Sequence, residues 1–117
     1  MSQGNAIRPA QDGGNFALRS EHSDGNVSVF VFGDLDLSVI GSVDREMQRA
    51  EASDATRIVL DLRELEFLDA AGIRLLLHLN ARSKNNGDRL RIARARSGQV
   101  QRVIDLTGAG DLLPFLD

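Results

Sequence analysis

Apolar and polar positions alternate in two neighbouring segments near the start of the chain, and this alternation predicts a β-hairpin. The first strand is expected over residues 16–21 and the second over residues 27–33, with turn-forming residues at 22–26 between them. The second strand has valines such as Val29 on one face and phenylalanines such as Phe30 on the other. Because both faces are apolar, we expect this strand at the centre of a sheet that is covered on both sides.

After the hairpin, helical spacing alternates with short apolar runs. The first helix is predicted over residues 39–50, followed by a strand over residues 57–62 and a second helix from about Ala70 to Ser83. Later segments predict a strand, a third helix and a short edge strand, over residues 90–93, 100–106 and 112–116. This order predicts an α/β fold in which about three helices pack against a small mixed β-sheet of four to five strands.

One domain accounts for most of the chain. Residues 1–14, rich in glycine, glutamine and asparagine, are expected to form a flexible N-terminal tail, and residues 15–117 the domain. No apolar run approaches the ~20 residues that span a bilayer, and the first residues lack the features of a secretory signal. We therefore expect a cytoplasmic protein without a membrane span.

The second helix is apolar over a wider arc than one sheet contact requires. Its polar stripe is formed by Arg74, His78 and Arg82, and Leu75 and Leu79 flank that stripe. Two explanations stay open: a neighbouring helix covers these leucines, or they belong to an interface with a partner.

Charge and chemistry restrict the function further. The net charge of −3 argues against general nucleic-acid binding, which depends on many lysine and arginine contacts. The chain has no cysteine, and neither of its two histidines, His22 and His78, has ligands nearby at metal-binding spacing. Because nucleophile and phosphate-binding motifs are also absent, we expect no enzymatic activity, no metal and no cofactor.

Basic residues are concentrated in one later stretch. Two interpretations stay open: solvated helix and strand faces, or a basic docking patch for an acidic partner. The residues concerned are Arg82, Lys84, Arg89, Arg91, Arg94, Arg96 and Arg102.

Acidic residues follow two strands that we expect to be neighbours. Asp34 and Asp36 follow the second strand, and Asp69 follows the third. Loops at one edge of an α/β sheet commonly form recognition sites, and a helix start exposes unpaired backbone amides. Asp36 and Asp69 are therefore predicted helix caps, recognition residues, or both.

Five segments in the right order resemble a STAS domain, and the chain is similar to bacterial anti-sigma factor antagonists (anti-anti-sigma factors) over about residues 16–117. The segments are residues 33–36, 58–62, 67–73, 86–90 and 103–108. The resemblance implies partner switching in transcription regulation. Such an antagonist binds an anti-sigma factor of the serine kinase type, is phosphorylated on the serine that follows the motif aspartate, and is then released.

The position equivalent to that serine is Ala70, and Ala71 follows it, so this chain departs from the family pattern at the switch. Two origins stay open: a natural phosphorylation-independent member, or a deliberate replacement of a serine. The resemblance also leaves open a second role, as a STAS accessory subunit of an ABC-type lipid transporter or another STAS signalling scaffold.

The resemblance further implies a partner-binding surface around the switch. Within it, Gly72 is expected to allow close approach of a partner backbone, and Arg74 and Leu75 to make direct contacts from an exposed turn. The implied partner is the anti-sigma factor, with no nucleic acid, and a homodimer is left open. The expected surface consists of Asp34, Asp36, Asp69, Ala70, Ala71, Gly72, Arg74 and Leu75.

Overall fold

A mixed β-sheet with three α-helices forms the fold. The computed structural model describes residues 6–9 and 15–116. In these residues the strands are β1 (Ala6–Pro9), β2 (Phe16–Ser23), β3 (Asn26–Leu35), β4 (Arg57–Asp61), β5 (Leu65–Leu68) and β6 (Leu90–Ala93). The helices are α1 (Ile40–Ala52), α2 (Ala70–Lys84) and α3 (Gly98–Leu106), and short 3-10 helices span Leu37–Val39 and Ala109–Asp111.

The strands lie side by side in the order β1-β2-β3-β4-β6, and β5 pairs with β3 off this path. β1–β2 and β2–β3 are antiparallel, whereas β3–β4, β4–β6 and β3–β5 are parallel. The sheet is thus mixed, and strands and helices alternate along most of the chain. The predicted α/β fold class is confirmed.

The predicted hairpin is confirmed as β2 and β3. Its two turn residues, Asp24 and Gly25, have φ angles of 53° and 80°. Two consecutive residues with left-handed backbone conformation form a tight turn whose twist matches that of the flanking strands. Asp-Gly is a preferred pair for this turn.

The core lies on one face of the sheet. Leu18, Val29, Leu60 and Ile92, from four strands, are each at most 1% exposed and pack with residues of the helices. The opposite face is only half-buried. The expectation that β3 is covered on both faces is therefore wrong for this second face.

An arginine shields the phenylalanines on the half-buried face. The guanidinium of Arg19 lies 4.4 Å from the ring centroid of Phe30 and 5.9 Å from that of Phe32. A flat cation over an aromatic ring covers apolar surface and is attracted to the ring, so no helix is required there. Apolar strand residues thus do not by themselves indicate a covering helix.

Helices α1 and α2 are joined by ion pairs. Arg82 on α2 lies 2.8 Å from Asp44 and 2.9 Å from Glu51, both on α1. Burial, the largest single influence, lowers the pKa of Arg82, but the hydrogen bonds and charges of the two carboxylates together raise it above its ordinary value. Leu75 and Leu79 lie in the core. Of the two explanations for these leucines, coverage within the domain is therefore correct, and an interface with a partner is not needed.

Three segments differ from or refine the predicted elements. β5 lies between the predicted strand over 57–62 and the predicted second helix, where no element was predicted. β1 lies within the predicted flexible tail, and the rest of residues 1–14 lies outside the described residues. The predicted edge strand over 112–116 is reduced to an isolated parallel bridge between Phe115 and Ile92. This confirms that the segment runs beside an outer strand, where Pro114 costs no central hydrogen bond.

Candidate functional site

Two acidic loops meet at the end of β3 because β5 continues the sheet there. Asp34 is in register with Phe67, and Leu35 with Leu68. Beyond these pairs, the amide of Asp69 donates a hydrogen bond of 3.4 Å to the carbonyl of Leu35. The loop after β3 and the start of α2 therefore lie side by side, as the sequence predicted.

Asp69 is the N-cap of α2, as predicted. Its Oδ1 accepts a hydrogen bond of 3.0 Å from the amide of Gly72, and its carbonyl accepts one of 3.1 Å from Ile73. The amides of Ala70 and Ala71 have no acceptor among the described residues, as is usual in a first helical turn. Ala70 is exposed, so the helix start presents free donors and a small apolar side chain.

Asp36 caps the 3-10 helix in the neighbouring loop. Its Oδ1 accepts hydrogen bonds from the amide of Ser38 at 3.0 Å and from the hydroxyl of Ser38 at 2.6 Å. The predicted capping role is therefore confirmed. Asp34, which was expected after the strand, lies within β3 because the strand extends to Leu35. It is half-buried, and its amide donates a hydrogen bond of 2.6 Å to the carbonyl of Asn15.

Gly72 packs within the domain. A Cβ atom at this position would collide with the side chain of Leu68 and lie 2.8 Å from the carbonyl oxygen of Leu35. The expected close approach therefore exists, but it is with this chain's own strands. Gly72 is buried.

Arg74 and Leu75 differ in their surroundings. Arg74 is exposed on α2, as expected, whereas Leu75 is only 5% exposed and belongs to the core. The expectation that Leu75 lies on an exposed turn is wrong, because the helix places it on the side that packs inward. It is not available for direct contact with a partner.

Sequence reasoning missed two exposed apolar residues at this site. Leu37, in the 3-10 helix, is 73% exposed, and Phe67, on β5, is 46% exposed. The sequence held one sign that Leu37 is exposed: it lies between the polar residues Asp36 and Ser38, where the apolar pattern is interrupted. Phe67 had no such signal, because β5 was not predicted.

Several residues of the basic stretch make contacts within the domain. Arg89 donates hydrogen bonds to the carbonyls of Glu51, Ser53 and Ala55, at 2.7 to 3.1 Å, near the end of α1. Arg94 lies 4.3 Å from the ring centroid of Phe115. With Arg82 bound to α1, these contacts favour a structural role over a separate docking patch.

The described residues contain no group of three or more histidine, cysteine, aspartate or glutamate side chains that could hold a metal ion. In the same part of the chain, no helix is long and apolar enough to cross a membrane. The candidate site presents backbone amides, carboxylates, the exposed Arg74 and exposed apolar side chains.

Known proteins share this arrangement of strands and helices. A solved anti-sigma factor antagonist from Mycobacterium paratuberculosis is 23% identical, covers 98% of this chain and 89% of its own, and superimposes with a TM-score of 0.72. A putative anti-sigma factor antagonist from Thermotoga maritima is 14% identical, covers 86% of each chain, and has a TM-score of 0.68. At these identities, the likeness establishes the fold.

Sequence comparison extends the likeness. An anti-sigma F factor antagonist from Paenibacillus polymyxa is 26% identical over 104 residues, which is 88% of each chain. A family model described as "Mlab, STAS domain" matches residues 18–114, nearly the entire described domain. This chain therefore belongs to the STAS family.

Proposed function

We propose that this chain is a cytoplasmic anti-sigma factor antagonist that binds an anti-sigma factor of the serine kinase type and has no catalytic activity of its own. The observation that carries the proposal is the exposed start of α2 at Ala70, beside the loop that contains Asp36. The relative named as an anti-sigma F factor antagonist supports the same role.

The docking surface consists of the end of β3, the loop after it and the first two turns of α2 with their N-cap. It includes Asp34, Asp36, Asp69 and the exposed Arg74, together with the free amides of Ala70 and Ala71. These amides can donate to carbonyl or carboxylate oxygens of a partner, helped by the positive end of the helix dipole. Leu75 and Gly72 support the surface from inside.

Position 70 gives this surface a distinctive regulation. A phosphoserine at the start of α2 would add up to about two negative charges among existing carboxylates, which is enough to break a tight interface. Alanine has no hydroxyl to accept the phosphate. The chain is therefore proposed to stay bound in the presence of ATP, independent of phosphorylation at this position.

The test is a calorimetric titration against each kinase-type anti-sigma factor of the source genome, with and without ATP. Ala70→Glu places a permanent charge at the helix start and is expected to weaken binding about tenfold or more. Ala81→Glu is the matched control, because Ala81 is exposed on the same helix but eleven residues, or about three turns, away. Ala70→Ser is expected to bind without ATP and to be phosphorylated and released with it.

Two results would contradict the proposal. Binding of the unaltered chain to none of these anti-sigma factors would exclude the antagonist role. Equal affinities of Ala70→Glu and Ala81→Glu would show that a partner binds elsewhere on the domain.

A second function, an accessory subunit of an ABC-type lipid transporter, is favoured by the same alanine, because that role requires no phosphorylatable serine. Genomic neighbours distinguish the two functions at little cost. An anti-sigma kinase gene beside this one supports the antagonist, and an ABC transporter operon supports the accessory subunit. Co-purification with the transporter's ATPase would then replace the titration as the direct test.

A further inference from the structure

Two exposed large apolar side chains lie at or beside the docking surface. In the described part of the chain, four large hydrophobic side chains are strongly exposed: Leu37, Phe67, Leu106 and Leu112. Leu37 and Phe67 lie on the two neighbouring segments that form the candidate site, after β3 and on β5. An exposed large apolar side chain loses favourable burial, so two of them beside a helix start suggest an interaction surface.

Leu37 is held in its exposed position by the turn around it. Asp36 receives hydrogen bonds from both the amide and the hydroxyl of Ser38, and the amide of Val39 donates to the carbonyl of Asp36 at 3.1 Å. Val39 is buried, which fixes the other end of the turn. Because the backbone is ordered before binding, little conformational entropy remains to be lost when Leu37 inserts into a partner.

The backbone of Phe67 is likewise held in place by its neighbours. It is paired with Asp34 across the β3–β5 ladder, and its neighbour Leu68 is buried in the core. A partly exposed aromatic ring on an ordered strand offers a large contact area at a small entropic cost. Such residues commonly contribute most of the binding energy in protein interfaces.

The surroundings of these two residues are acidic. Asp34, Asp36, Glu66 and Asp69 lie on the same two segments or at the adjoining helix start, whereas Arg74 is the one basic residue on the first two turns of α2. A complementary partner must therefore present positive charge around its apolar contact region.

We propose that Leu37 and Phe67 are the two anchors of the docking surface and that they insert into an apolar pocket rimmed by lysine or arginine on the anti-sigma factor. This proposal rests on the function proposed above and specifies the chemistry of the partner. Ala70 follows Phe67 by three residues, and its small uncharged side chain would let the partner approach closely.

Leu37→Ser and Phe67→Ser test the anchors in the same titration against the kinase-type anti-sigma factors. Leu112→Ser is the matched control: Leu112 is 64% exposed, and its carbonyl accepts a hydrogen bond from Asn80, ten residues along α2 from Ala70. Each anchor variant is expected to weaken binding about tenfold or more, and the control less than about twofold. Circular dichroism and thermal unfolding verify that all three variants fold.

Salt concentration tests the charged rim separately. The rate of association between this chain and the anti-sigma factor is expected to fall steeply between low and physiological ionic strength, because opposite charges steer the encounter. A rate that does not depend on salt would overturn the basic rim.

The titration results distinguish a failure of the two anchors from a failure of the proposed antagonist function. If the unaltered chain binds an anti-sigma factor and the anchor variants match Leu112→Ser, the anchors are wrong and the antagonist function stands. If the unaltered chain binds none of the anti-sigma factors, both proposals fail.

Discussion

Asp69 caps α2 through one of its two carboxylate oxygens. Its Oδ1 is occupied by the amide of Gly72, whereas its Oδ2 accepts no hydrogen bond from the described residues. The cap uses one oxygen, and the other is available to a partner. The two interpretations of this residue that the sequence left open are therefore compatible.

Two substitutions at Asp69 separate these roles. Asparagine caps a helix about as well as aspartate, so Asp69→Asn is expected to keep the free energy of unfolding within about 0.5 kcal/mol. It removes the negative charge and is expected to weaken binding to the anti-sigma factor. Asp69→Ala loses the cap and is expected to cost about 0.5–2 kcal/mol of stability.

Urea unfolding followed by circular dichroism measures the stability of both variants, and calorimetry measures their affinity. If Asp69→Asn binds as well as the unaltered chain, the carboxylate acts only as a cap. The charge of Asp69 would then have no place in the proposed docking surface.

Leu75 marks the limit of what a helical wheel can resolve. The spacing of apolar residues correctly predicted α2 and its polar stripe, but both flanks of the stripe carried leucine. Only the position of α1 and of the sheet decides which flank is covered. The wheel therefore could not distinguish a buried leucine from a contact residue.

The packing of α2 against the end of the sheet depends on a glycine. Because a Cβ at position 72 would collide with Leu68 and approach the carbonyl of Leu35, Gly72→Ala must push the helix away from the strands. We expect it to lower the free energy of unfolding by about 1–3 kcal/mol, as overpacking does elsewhere. Urea unfolding measures the difference.

Gly98→Ala is the matched control. Gly98 is the first residue of α3, and a Cβ there would meet no atom within 4 Å. This change is expected to be neutral or to stabilise the protein by up to about 1 kcal/mol. Equal stabilities of the two alanine variants would contradict the close packing at Gly72.

Strand β5 explains why this part of the site was predicted only in outline. It has four residues, with Leu65 and Leu68 buried and the two between them exposed, so it lacks the alternation that identifies a strand. Its pairing with β3 depends on residues some thirty positions earlier in the chain. No local pattern contains that information, which is why Phe67 went unnoticed.

The fold as a unit is organised around β3. This strand pairs with β2 on one side, and with β4 and β5 on the other, and its inward valines are almost completely buried. The order of segments along the sequence predicted this fold class and the adjacency of the acidic loops. It did not predict the half-buried outer face, since arginine stacking on phenylalanine leaves the same apolar pattern as helix packing.

Hydrogen exchange tests the central role of β3. The amides of Val29, Val31 and Leu60 are expected to exchange only when the domain unfolds completely, because opening β3 separates most of the sheet. Their exchange free energies should therefore equal the global free energy of unfolding from urea denaturation. Exchange of these amides at clearly lower free energy than those of α3 would contradict this view.

The Asp24–Gly25 turn lies at the opposite end of β3 from the candidate site. The ten residues of that strand separate the two ends by roughly 30 Å, at about 3.3 Å per residue. Since the chain has no cysteine, one cysteine introduced in this turn region, at the exposed Ser23, would be its sole thiol. Attachment through that thiol would immobilise every molecule in one orientation, with Ala70, Leu37 and Phe67 directed away from the support.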